Sequence, residues 1–167
     1  MEILFENKYT RNKEWAKDIY AYFSFRRPLR VVLSIVFAIY LIIGVYNSSV
    51  TGVLEPYLIF VPLVWYAAIV LSYFINSNIV IKRDIELSGK PIEVVVTVTD
   101  DIIKQLQSTG SEYKLDYYDI KKVVRTKRYI YLCSKTNMFY SLKKDSFSVG
   151  NAEDFLSFLK SKGIKVK

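Results

Sequence analysis

Between Val31 and Ile81 the chain carries one charged side chain, Glu55. Fifty-one residues with a single acid cannot form a water-facing surface. Two apolar runs fill this stretch. Leu29–Tyr46 reads LRVVLSIVFAIYLIIGVY, and Tyr57–Ile75 reads YLIFVPLVWYAAIVLSYFI. Eighteen helical residues extend about 27 Å, close to the roughly 30 Å hydrocarbon core of a bilayer. Backbone amides in lipid must be paired within their own segment, so both runs are expected to be helices despite their β-branched content. Pro62 removes one amide donor from the second, which membrane helices tolerate. The connecting stretch Asn47–Pro56 is short and polar, with Gly52 and Pro56 as breakers. Ser34, Ala38, Gly44, Ala67 and Ala68 are small enough to let two helices approach.

The flanks set an expected orientation. Arg26, Arg27 and Arg30 precede the first run, Lys82 and Arg83 follow the second, and the connection has no Lys or Arg. The positive-inside rule then places both termini in the cytoplasm and the loop outside, with the five basic residues as topology anchors in a cell membrane. The single cysteine, Cys133, forbids an intramolecular disulfide. The absence of histidine removes the commonest general base and zinc ligand.

Three segments follow: a cytoplasmic strand and amphipathic helix over 1–28, a two-helix transmembrane hairpin over 29–78 with its outer loop at 47–56, and a cytoplasmic domain over 79–167. In the first, Ile3, Phe5 and Tyr9 suggest a strand over Glu2–Tyr9, with Thr10 as helix cap. Trp15, Ile19, Tyr22 and Phe23 then share one helical face. That face either lies among lipid headgroups or packs on the protein's own soluble domain, and the preceding strand favours packing.

From residue 79 the apolar period becomes two. Strands are expected at Ile79–Leu87, Ile92–Thr99, Ile102–Thr109 and Glu112–Leu115. A short helical turn at Tyr117–Asp119 leads to a hairpin, Ile120–Thr126 with Tyr129–Ser134, and then to Met138–Lys143. Asn151 is a good cap for a final helix carrying Phe155, Leu156, Phe158 and Leu159 on one face, with Gly163 as stop. The expected fold class is a membrane α-helical hairpin plus α+β. Its soluble part would be a curled antiparallel β barrel plugged by one C-terminal helix, the pleckstrin-homology (PH-like) arrangement.

The stretch Tyr117–Phe147, YYDIKKVVRTKRYIYLCSKTNMFYSLKKDSF, followed by GNAEDFLSFL at Gly150–Leu159, resembles the C-terminal domain of the bacterial YcxB-like family. The matching elements are Tyr117, Asp119 and Ile120, the strand pair around Thr126 and Lys127, Lys143 with Phe147, and the helix start at Gly150. Leu142 departs from the family, which often has proline there. The resemblance implies a short N-terminal strand and helix, two membrane spans and a PH-like domain. It brings no established enzymatic activity to carry over, and a non-enzymatic protein without cofactor or metal is expected.

The densest basic feature is Lys121, Lys122, Arg125, Lys127 and Arg128. In a hairpin, Arg125, Lys127 and Arg128 cluster at the tip, where they would contact anionic lipid headgroups or a protein partner, each base contributing about 1 kcal/mol near such a surface. Ordinary solvated charge is the competing reading, and it applies equally to Lys143 and Lys144. The domain's seventeen bases are dispersed among eleven acids, so nucleic acid is not an expected partner. Asp100 and Asp101 read as turn residues, Asp119 as the cap of its turn, and Cys133 as a small strand hydrophobe. The chain reads as a membrane interaction module with an unknown protein partner or a second copy of itself. The alternative is an oligomeric transport or permeation unit gated by the soluble domain.

Overall fold

The computed structural model describes residues 2–25, 28–53 and 56–166. The chain divides into two compact units. One joins residues 1–18 to residues 81–167, and the other spans Ile19–Val80.

The second unit is built on helices. Helix α1 (Lys13–Phe25) enters it, followed by α2 (Pro28–Thr51) and α3 (Pro56–Ser88). Both α2 and α3 are long and apolar enough to cross a membrane. Their apolar side chains face outward: Ile35, Ile39, Ile42, Phe60, Val64 and Leu71 are all exposed. The two helices meet at Gly44, where a Cβ would come within 2.7 Å of the Leu58 Cβ. The Tyr66 hydroxyl donates to the Ser34 carbonyl, and Trp65 Nε1 donates to Ser34 Oγ at 3.4 Å. Helix α2 runs on through Asn47–Thr51, which the sequence assigns to the loop. Ser48 and Thr51 satisfy their hydroxyls on the carbonyls of Gly44 and Asn47 and so fit the helix.

Helix α3 also outruns its expectation. Residues 79–87 are helical, not a strand. Alternation along this segment is ambiguous, because Ile81, Asp84 and Ser88 also share a helical face. Ile81 and Asp84 are buried there, Asp84 against Arg11 at 3.2 Å. Nothing breaks the helix until Gly89, whose N–H bonds the Ile85 carbonyl at 2.8 Å.

The first unit is antiparallel. Its strands are β1 (Phe5–Thr10), β2 (Glu93–Val98), β3 (Ile102–Gln107), β4 (Glu112–Asp116), β5 (Ile120–Arg125), β6 (Tyr129–Ser134), β7 (Phe139–Lys143) and β8 (Phe147–Val149). A short 3-10 turn occupies Tyr117–Asp119, and α4 spans Ala152–Ser161. The strands form a five-stranded sheet, β4-β3-β2-β1-β8, and a three-stranded sheet, β5-β6-β7. The expected curled antiparallel barrel is therefore corrected: the strands form two separate sheets and do not close into a barrel. The short β8 lies outside the sequence-based strands.

Strand β1 sits inside the larger sheet. Phe5 opposes Val98 and Thr10 opposes Glu93 on one side, while Glu6 opposes Val149 on the other. Phe5, Asn7 and Tyr9 face inward, as do Val94, Val96 and Val98 of β2. Thr10 ends β1 and does not cap α1. Asn12 is the cap, its Oδ1 accepting the Trp15 N–H at 3.0 Å. Asn151 caps α4 as expected, accepting from the Glu153 and Asp154 amides. Phe155 and Leu159 of α4 are fully buried, and the Phe5 ring meets the Phe155 ring edge-on at 5.5 Å.

Gly150 has φ +73°, and a Cβ there would run into the Phe5 ring. Gly150→Ala is expected to lower unfolding free energy by about 3 kcal/mol, combining left-handed backbone strain with overpacking. Gly110→Ala, at φ +85° in open space, should lose only about 1–2 kcal/mol. Denaturant unfolding of the detergent-solubilised chain checks the difference; equal losses reject the Phe5 contact.

Candidate interaction surface

The β5–β6 connection is a tight turn. Thr126 N–H bonds the Tyr129 carbonyl at 2.9 Å, and Thr126 Oγ1 accepts the Tyr129 N–H at 3.0 Å. This double contact leaves Lys127 and Arg128 at the tip, beside Arg125 at the end of β5, and all three are exposed. The β7 register adds two more cations. Lys143 opposes Tyr129, and the Lys144 N–H bonds the Arg128 carbonyl at 2.9 Å. Lys144 Nζ also donates to the Thr126 carbonyl. Five bases thus gather at one end of the smaller sheet.

Two carboxylates answer them. Glu14 pairs with Arg128, and Asp145 lies 3.5 Å from Lys143. The Arg128 side chain remains 53% exposed in its pair. An exposed pair of this kind contributes only about 0–1 kcal/mol, so it does not withdraw Arg128 from a competing anion. The cluster therefore keeps a net positive field at a protruding turn, suited to phosphate or carboxylate groups.

Lys121 and Lys122 do not join this cluster. They are exposed at the far end of β5, roughly 10–13 Å from Arg125 at strand spacing. A register irregularity between Ile120 and Lys122 lies there. Near them Lys135 Nζ sits 3.3 Å from the centre of the exposed Tyr118 ring, and the Lys135 N–H bonds the Asp119 carbonyl at 2.9 Å. Of the topology anchors, Lys82 and Arg83 are exposed on α3 and Arg30 is half-buried on α2. Arg26 and Arg27 lie outside the described residues, as does Glu55. Among the acids, Asp100 pairs with Lys162 at 2.7 Å and Glu112 with Lys114 at 3.5 Å.

The turn stands on a buried aromatic layer. Tyr129 and Tyr131 of β6 are fully buried and their rings stack at 6.0 Å. Tyr9 meets Tyr129 edge-on, also at 6.0 Å. The Tyr9 and Ser141 hydroxyls share a hydrogen bond, and Trp15 Nε1 donates to the same Ser141 Oγ at 3.1 Å. The Tyr131 hydroxyl donates to Asp18 Oδ1 at 3.0 Å. The Trp15 side of α1 is thereby packed on the sheets rather than left for lipid. Burial pushes the Tyr9 hydroxyl up to about 12 and the Tyr129 hydroxyl up to about 12. Burial, followed by the Asp18 charge, also raises Tyr131. Burial raises the Cys133 thiol too, against the opposing effect of Lys122 and Lys121.

Glu14 and Asp145 were invisible to sequence reasoning as partners of this cluster. Glu14 lies on another element, and only the fold brings it to Arg128.

These features define a class: two long apolar helices followed by an antiparallel sheet domain with a C-terminal helix. Residues 98–159 match the family model described as YcxB-like protein, the family whose motifs the stretch from Tyr117 to Leu159 resembles. The match runs from the end of β2 into α4, with both apolar helices before it. No curated protein and no solved structure matches the chain.

A tyrosine whose folded pKa lies above its unfolded value of about 10 binds its proton more tightly in the native state. That stability is fully present below pH about 10 and is lost as pH rises toward 12. The sheet unit should therefore unfold in this window, with the tyrosinate absorbance of Tyr9 and Tyr129 appearing together with loss of circular dichroism. Gradual ionisation of all tyrosines near pH 10, with the fold intact, would contradict the buried layer.

Proposed function

We propose that the chain is a two-pass membrane protein whose sheet unit serves, on the cytoplasmic side, as a PH-like, non-enzymatic interaction module contacting anionic lipid headgroups. The basic β5–β6 turn is the observation that carries this reading. It holds Arg125, Lys127 and Arg128 exposed, backed by Lys143 and Lys144. Two antiparallel sheets packed with one amphipathic C-terminal helix support the PH-like analogy, which is an analogy of fold alone.

The membrane assignment is supported by the outward-facing apolar side chains of α2 and α3. A soluble protein rarely leaves so large a continuous apolar surface in water. A second observation supports placing both termini on one side. Strand β1 precedes the helix pair and β2 follows it, yet they are neighbours in one sheet. A chain can make that pairing only if it returns to the side it left. Arg30, Lys82 and Arg83 beside the apolar runs, and no base between them, favour the cytoplasm as that side. The turn would then orient an already tethered domain against its membrane rather than recruit it.

Reporter fusions at each terminus and within residues 47–56 test the topology. Alkaline phosphatase should be active only in the loop and a fluorescent reporter only at the ends; an external C-terminus rejects the reading. The full chain in nanodiscs tests the headgroup contact by amide hydrogen exchange. Protection of the β5–β6 turn should be greater in phosphatidylglycerol than in phosphatidylcholine. Combined Arg125→Gln, Lys127→Gln and Arg128→Gln should erase that difference; an unchanged difference removes these residues from the contact.

A further inference from the structure

Along the helix pair runs a groove of about 410 Å³, within the roughly 300–1,000 Å³ of small-molecule sites. Arg30, Ser34 and Ala38 of α2 line it, with Tyr66 and Ile69 of α3. Positions 30, 34 and 38 form one helical stripe, about 12 Å long at 1.5 Å per residue. The polar atoms along it are already used, because Ser34 accepts from both Tyr66 and Trp65. Arg30 is different: its guanidinium has no ion-pair or hydrogen-bond partner among the described residues. The groove therefore has a cation at one end and an apolar length beyond it.

We infer that this groove is a binding site for a single glycerophospholipid, with the phosphate on Arg30 and one acyl chain lying along Ser34, Ala38 and Ile69. A guanidinium presents paired donors that match two phosphate oxygens. A stripe of about 12 Å starting at the headgroup level reaches most of the way through one leaflet, half of the roughly 30 Å core. Ala38 is the side chain whose small size keeps that path open. The site rests on the membrane reading above, because only there does the groove face lipid.

The experiment is native mass spectrometry of the full chain released from detergent micelles and titrated with dioleoyl phosphatidylglycerol. One lipid should be retained per chain, and Arg30→Gln and Ala38→Phe should each weaken retention by about tenfold, or about 1.4 kcal/mol. The first removes the phosphate partner, and the second fills the chain's path while keeping the charge. Retention unchanged in both variants overturns the site. A comparison on the unaltered chain needs no variant to fold: dibutyryl phosphatidylglycerol, a headgroup without long chains, should bind far more weakly. Equal binding of the two lipids means that Arg30 meets headgroups at the interface and the groove holds no chain, which overturns the proposal. Alkaline carbonate extraction of cell membranes that contain the chain separates the two levels. A protein that washes off defeats the membrane reading itself, whereas one that stays embedded yet retains no single lipid defeats only this site.

Discussion

Asn7 lies fully buried on the inward face of β1, a position that its neighbours Phe5 and Tyr9 give to aromatic rings. Its amide is held at both ends by one residue of β7. Asn7 Nδ2 donates to the Lys143 carbonyl at 2.7 Å, and the Lys143 N–H donates to Asn7 Oδ1 at 3.0 Å. One side chain thus replaces a rung of backbone pairing between sheets that share no ladder. A buried amide left unpaired would cost about 1–3 kcal/mol, so the position demands this partner. A second link, from the Tyr140 hydroxyl to the Lys114 carbonyl at 2.9 Å, joins β7 to β4. The meeting of the two sheets, the buried tyrosine layer between them and the placement of the basic turn all follow from this seam.

Much of the fold was legible because it obeys local rules. The apolar runs declare themselves by length and lack of charge. Thr126 and the flanking alternation mark the β5–β6 hairpin, and Asn151 marks the start of α4. The failures occur where two patterns fit the same residues. Ile79–Leu87 alternates like a strand, yet it continues a helix that has no breaker before Gly89 and gains the Arg11–Asp84 contact. Barrel closure was not readable, because it depends on whether β5–β6–β7 pairs with the larger sheet. Asn7 and β8 decide that point, and neither carries a strong sequence signal. The three residues of β8 are too few to establish a period.

The candidate surface was half legible. Charge spacing identified Arg125, Lys127 and Arg128, and the turn geometry exposes them together. Lys121 and Lys122 belong to the same run of sequence but stand a strand's length away. Lys143 and Lys144 are remote in sequence and stand beside the turn because β7 is the neighbour of β6. Glu14 reaches Arg128 because Asn12 starts α1 where the sheets can receive Trp15. Proximity in the chain and proximity in space diverge here, and only the second determines the local field.

The insertion of β1 between β2 and β8 also bears on how such a molecule is made. Glu6 and Ser148, in contact across this seam, are 142 residues apart. During synthesis, strand β2 can pair with β1 once the apolar helices have been made, whereas β8 follows only after β3 to β7. The edge of β1 that faces β8 stays open until then, and an open strand edge is prone to wrong associations. Completion of the sheet therefore waits on β8, and a chain stalled before it would leave one edge of β1 uncovered.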